Sequence, residues 1–219
     1  KYKLAQGNTE CATCSTNVTD CSGSSAGLCM KGYSSDDAGV TCIPCVAGKY
    51  KSTAGNVACT PCASNDNGCG GASSGFCDPG FGSDDSGATC TACESGKYKT
   101  SDGDVQCTTC ASHNSGCASA SAGTCDAGYS SSDGGVSCAA CLAGTYKKDA
   151  GNVACTTCAS HGTGCGDASA GACDAGYSSV DGGVTCTACV DGKYKLAQGN
   201  TECATCSTNV TDCGDQSAG

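Results

Sequence analysis

Tryptophan and arginine are both missing from this 219-residue chain, and only three prolines and two phenylalanines occur in it. With no arginine, eleven lysines carry all the positive charge and the net charge is −10. Arginine is the usual bidentate reader of phosphate and guanine, so nucleic acid is not an expected partner. Leu, Ile, Val and Phe together number 18. Burying apolar surface yields roughly 25 cal/mol per Å², while ordering the backbone costs about 1–2 kcal/mol per residue. So few large side chains exclude a conventional hydrophobic core. No apolar run approaches the roughly 18 residues of a membrane span, and any membrane attachment is expected through an anchor outside this stretch. A secretory leader is also missing. The chain opens and closes within a repeat and reads as a piece of a longer array, so that absence carries no information.

What the chain does have is cysteine, 27 residues of it. Such density belongs to oxidising compartments, where disulfides take over from a core. The cysteines fall at 11, 14, 21, 29, 42 and 45, and the set returns at 59, 62, 69, 77, 90 and 93, shifted by 48 with no insertion. The unit C-x2-C-x6-C-x7-C-x12-C-x2-C-x13 occurs four times, with a fifth copy ending shortly after Cys213. A fixed period of this length marks a linear array. Residues 1–10 then close a preceding repeat, the complete repeats are 11–58, 59–106, 107–154 and 155–202, and 203–219 begin a fifth. The expected fold is a set of small disulfide-rich repeats in an elongated linear array, with little regular secondary structure beyond short β-hairpins.

Each unit contains an internal echo. "CMKGYSSDDAGVTC" (29–42) and "CVAGKYKSTAGNVAC" (45–59) share a cysteine, two residues, glycine, an aromatic, a polar stretch and a closing cysteine. Tyr33, Phe81, Tyr129 and Tyr177 occupy the first loop; Tyr2, Tyr50, Tyr98, Tyr146 and Tyr194 occupy the second. Each ring is expected to lie over a disulfide as a miniature core, and ligand stacking is the competing reading. Gly and Ser recur too often for a helix to fit. Strands of three or four residues are expected around "GKYK" and "NVAC", with turns at "SDDSG" and "SSDGG".

Closing each loop on itself is the simplest pairing. It joins Cys29–Cys42, Cys45–Cys59, Cys77–Cys90, Cys93–Cys107, Cys125–Cys138, Cys141–Cys155, Cys173–Cys186 and Cys189–Cys203. The remaining cysteines pair across six residues as Cys14–Cys21, Cys62–Cys69, Cys110–Cys117, Cys158–Cys165 and Cys206–Cys213. Only Cys11 is left over, with a partner expected just upstream of residue 1. Loops this short contribute about 2–3 kcal/mol each in the loop-closure treatment. Six cysteines allow fifteen pairings per unit, and the main rival crosses over as Cys62–Cys77 with Cys69–Cys90, in the manner of epidermal-growth-factor-like modules.

The same residues bear on other chemistries. "CIPC-x13-CTPC" (42–62) has nearly the spacing of a four-cysteine zinc site. A zinc site there leaves Cys69 and Cys77 unused in every unit. The two histidines, His113 and His161, share one repeat position with Asn17, Asn65 and Asn209, so they are not required ligands. A redox C-x-x-C centre needs a scaffold that lowers a thiol pKa, and none is visible. Asp37, Asp85, Asp133 and Asp181 recur in register, but calcium takes six to eight oxygens, so these are expected as solvated turn residues. No metal or cofactor is expected, and no Ser, His and Asp stand in a catalytic order. Asn17-Val18-Thr19 and Asn209-Val210-Thr211 are N-glycosylation sequons, and the 51 serines and threonines offer O-glycan positions.

The "CxxGxYxxxxGxxxCxxC" loop resembles cysteine-rich modules of the tumour-necrosis-factor-receptor and ephrin-receptor-like kind. The whole-chain texture of tandem C-x-x-C units in Ala, Ser, Thr and Gly filler resembles the surface immobilisation antigens of ciliates. Variant surface proteins of parasitic protists are a more distant comparison. That resemblance implies a lipid-anchored or filamentous coat protein outside the cell, and it brings no catalytic residues. The expected function is therefore a non-enzymatic extracellular structural protein, a glycosylated repeat rod that self-associates into a cell-surface coat or filament. The alternative is a receptor-like ectodomain that binds a protein or glycan. Residues 193–213 repeat residues 1–21 letter for letter, which points to a block of four repeats duplicated whole. The full gene tests this, since residues beyond 219 should then follow residues 28–192 at the same offset.

Overall fold

The computed structural model describes all of residues 1–219. It has no helix and no sheet wider than two strands; its regular structure is thirteen antiparallel pairs of two-residue strands. Three hairpins make up a repeat. β1 (Val18–Thr19) pairs with β2 (Leu28–Cys29), β3 (Tyr33–Ser34) with β4 (Ile43–Pro44), and β5 (Lys49–Tyr50) with β6 (Thr60–Pro61). The same three then return, beginning with Asp66–Asn67 against Phe76–Cys77. Glycines terminate the strands because the chain must turn through positive φ, as at Gly32 (φ 84°) and Gly48 (φ 78°).

The strands are two residues long rather than three or four. "NVAC" (56–59) is not a strand either; pairing starts past the cysteine, at Thr60. The cause is the side chain of Asn56. Its Oδ1 accepts from the Cys29 N–H at 2.9 Å and its Nδ2 donates to the Gly27 carbonyl at 2.8 Å. Both bonds bend the backbone across residues 55–57 instead of extending it.

The chain forms two compact units, Lys1–Thr109 with Ala118–Ser121, and Cys110–Cys117 with Ala122–Gly219. Each unit is built the same way inside. In the first, the Gly32 N–H donates to the Lys51 carbonyl and the Lys51 N–H donates to the Gly71 carbonyl, at 2.8 and 2.9 Å. Tyr50 and Gly71 thus form a parallel bridge, as do Tyr98 and Ser119. In the second unit the same bridges join Tyr146 to Asp167 and Tyr194 to Asp215. One residue after each tyrosine, a lysine backbone therefore links the second loop of one repeat to the opening loop of the next.

What is buried is small. Cys29, Cys77, Cys125 and Cys173 have no exposed surface, and around them lie Ala26, Ala122 and Ala170 with the rings of Tyr50, Tyr98 and Tyr146. Most of the valines and leucines stay outside, Leu142 being 79% exposed. The cystines stand where a globular domain would put its branched aliphatic side chains.

Candidate functional site

The cysteines close sequential loops throughout. Every pair lies 7, 13 or 14 residues apart in sequence, from Cys14–Cys21, Cys29–Cys42 and Cys45–Cys59 to Cys173–Cys186, Cys189–Cys203 and Cys206–Cys213. The crossed alternative is absent, since Cys62 joins Cys69 and Cys77 joins Cys90. The remaining loops are Cys93–Cys107, Cys110–Cys117, Cys125–Cys138, Cys141–Cys155 and Cys158–Cys165. Cys11 is a free, exposed thiol. The hairpins bring each pair's Cα atoms within 5.4–6.0 Å, inside the range a disulfide spans without moving the backbone.

The aromatic residues divide into two kinds. Four of the five second-loop tyrosines are buried, Tyr2, Tyr50, Tyr98 and Tyr146 being at most 7% exposed, while Tyr194 is half-buried. First-loop rings are half-buried, and two of them carry a histidine. His113 stacks on Tyr129 with ring centroids 3.9 Å apart, and His161 on Tyr177 at 4.0 Å. Both histidines, like Asn17, Asn65 and Asn209 at the same repeat position, have positive φ of 57–73°. Asn and His tolerate that left-handed region better than most residues, which explains what the position accepts. Asn17 and Asn209 are exposed there. The Asn17 carbonyl accepts from the Met30 N–H and the Thr19 hydroxyl donates to the Leu28 carbonyl, so the first sequon runs from the open end of the hairpin into its first strand, with its asparagine side chain free.

The aspartate turns are organised rather than loosely solvated. The Ser35 hydroxyl donates to Asp37 Oδ1 at 2.6 Å, the Thr41 N–H donates to the same oxygen at 2.8 Å, and the Thr41 hydroxyl donates to Oδ2. Ser35 Oγ also accepts from the Gly39 N–H. Asp85, Asp133 and Asp181 repeat the pattern with Thr89, Ser137 and Thr185. The hydrogen bonds from Ser35 and Thr41 hold Asp37 down at about 2; Ser131 and Ser137 do the same for Asp133, and Thr185 with Ser179 for Asp181. Asp85 is lowered by Thr89 and Ser83. Both carboxylate oxygens of each of these four aspartates are occupied by donors from their own loop.

Lysine is the residue that sequence reading overlooked. Lys51, Lys99, Lys147 and Lys195 are 4–7% exposed, yet no carboxylate faces their ammonium groups. The Lys51 Nζ donates to the carbonyls of Cys29, Tyr33 and Gly55; Lys99 Nζ donates to Cys77 at 2.7 Å and Asp78 at 3.2 Å. Burial pulls the Lys51 ammonium below the ordinary lysine value. Each lysine therefore reaches back to the first loop with its side chain while its backbone reaches forward to the next repeat. The exact 48-residue register of these lysines was a legible signal, hidden because lysine normally means solvent. Asn56, Asn152 and Asn200 were missed for the same reason.

Two stretches of the chain, residues 32–74 and 128–173, match the family model described as tyrosine-protein kinase ephrin type A/B receptor-like. Together they cover well under half of the chain, so this is a likeness of those stretches. Each begins at the glycine before a first-loop tyrosine and runs through the second loop into the next opening loop. The two lie two repeat periods apart, in the same phase. No curated protein matches the chain. The match and the disulfide density together point to cysteine-rich modules of the extracellular kind.

Proposed function

We propose that this is a non-enzymatic structural protein of the cell exterior, a rod of disulfide-stapled repeats that self-associates into a surface coat or filament. The observation that carries the reading is sameness. Every repeat spends its buried lysine ammonium and cystines, and all but the second an asparagine amide, on holding its own loops and the next repeat. What varies between copies is mostly exposed filler, such as residues 52–54 and 148–150. N-glycans on Asn17 and Asn209 fit that exterior, as does a membrane link through an anchor lying outside this sequence. The resemblance to ciliate surface antigens supports the coat form specifically. Electron microscopy of the purified glycoprotein, paired with sedimentation over a concentration series, tests it. Thin particles that associate laterally or end to end are expected; a compact monomer at every concentration would remove the proposal.

A receptor-like ectodomain is the second reading, favoured by the ephrin-receptor-like match. Capture of a single defined protein or glycan by one repeat, lost on replacing exposed residues of that repeat alone, would establish it instead.

A further inference from the structure

The second repeat carries aspartate at two inward-facing positions, one that is asparagine in the other complete repeats and one that varies as Val18, Asp66, Asn114 and Gly162. At the first, Asn56, Asn152 and Asn200 each accept from a cysteine N–H and donate to a glycine carbonyl, Gly27, Gly123 and Gly171, at 2.8–2.9 Å. Repeat 2 has Asp104 there. It accepts from the Cys77 N–H at 3.3 Å, and an ionised carboxylate has no hydrogen to give to the Gly75 carbonyl. At the second position, the Asn114 amide donates to the carbonyls of Ala122 at 2.9 Å and Gly135 at 3.0 Å. Repeat 2 has Asp66, and the carbonyls in register are those of Ser74 and Gly87.

The two side chains fill one place. A Cβ on Gly123 would collide with Asn114 Oδ1, and a Cβ on Gly75 would collide with the Asp66 carboxyl. Both Asp66 oxygens are closed off from solvent, and beyond a weak approach of the Cys69 N–H neither has a hydrogen-bond partner. The amide that Asn114 turns to acceptor carbonyls in repeat 3 is thus replaced in register by a buried carboxyl in repeat 2. Oxygen against oxygen is repulsive unless a hydrogen lies between them, and an unpaired buried charge is strongly disfavoured.

We propose that the Asp66 carboxyl takes up its proton more readily than an ordinary aspartate and, once protonated, donates to a main-chain carbonyl as Asn114 does, forming a latch that tightens in acid. The groups facing it agree. Burial raises its pKa first; the carboxylates of Asp104 and Asp78 raise it further, and the Cys69 N–H alone opposes them. With the folded pKa above the unfolded value, the latch holds fully below the ordinary aspartate range and is lost as pH rises through the folded value. The carboxylates of Asp37, Asp85, Asp133 and Asp181 behave in the opposite sense. Repeat 2 is therefore the one repeat in which acid strengthens the inner loop contacts.

Carboxyl-carbon NMR of the full chain across pH 2–8 tests this. Asp66 should titrate with a midpoint above 3.8, and Asp104→Asn should bring that midpoint down by removing a neighbouring charge. Asp66→Asn, which installs the residue of repeat 3, should remove the transition from the Cys69 and Gly75 amide shifts while keeping all thirteen disulfides. An Asp66 midpoint at or below 3.8 in the native chain would overturn the proposal. So would millimolar calcium lowering the midpoint, because a cation rather than a proton would then be filling the gap.

Discussion

The ammonium of Lys147 donates to the main-chain carbonyl of Cys125 at 3.2 Å, inside a repeat where Cys125 has no exposed surface at all. A cation is normally buried against a carboxylate. Here the counter-charge is spread over carbonyl dipoles, and the one ion pair of the chain, Lys97–Glu94, lies elsewhere on the surface.

Lys147→Ala and Lys148→Ala remove the same charge from adjacent residues, the first buried and the second exposed. Lys147→Ala leaves the carbonyls of Cys125 and Asp126 without their ammonium donor, a loss of about 1–3 kcal/mol. Lys148→Ala should stay within about 0.5 kcal/mol of the native chain. Hydrogen exchange at the Gly128 and Gly151 amides, bonded to the carbonyls of Lys147 and Cys125, reads the difference. Equal exchange in both variants would show the buried lysine to be idle.

The aspartate turns set an acid limit. Asp37, Asp133 and Asp181 sit at about 2, below the unfolded 3.8. A depressed carboxyl pKa contributes stability that is complete above the unfolded value and lost as pH falls through the folded one. The amide signals of Thr41, Ser137 and Thr185 should therefore hold constant down to about pH 4 and shift between 4 and 2. A shift centred near the ordinary aspartate value would mean the turn hydrogen bonds do not form in solution.

Non-reducing peptide mapping should return sequential loops alone, and alkylation of the native chain should label Cys11 and no other cysteine. Stoichiometric zinc, or a Cys62–Cys77 cross-link, contradicts the fold described above.

Glycosidase treatment of the chain expressed through a secretory pathway should shift the mass of peptides containing Asn17 and Asn209. Thr19→Ala should abolish the first shift only. Asn67-Gly68-Cys69, a sequon of the rarer Asn-x-Cys form, should stay unmodified, because Cys69 is held in its disulfide to Cys62.

The cysteine ruler made the repeat, its hairpin character and the absence of helices legible in the sequence, because loop closure acts between residues close in the chain. The buried groups were much less legible. Lys51 and Lys49 look alike as letters, and only the turn that places Gly55 and Tyr33 around one ammonium separates them. The strand expected at "NVAC" failed for a related reason: Asn56 bonds to residues some thirty positions earlier, a contact no local pattern announces. His113 over Tyr129 was similarly invisible, since two repeat positions meet only once the hairpins are folded.

Sequential loops of 7, 13 and 14 residues also decide how the chain carries a mechanical load. A pull on the two ends does not run through the loops, because each cystine short-circuits its own. Tension passes from Cys14 to Cys21 across sulfur, along the link to Cys29, then across again to Cys42, and so on, leaving most of the backbone slack-free but unstretched. A residue outside a loop yields at most about 3.3–3.6 Å of extension, so little hidden length is available. Such a strand should stiffen almost at once under force and lengthen in steps only when a reductant opens its cystines one by one.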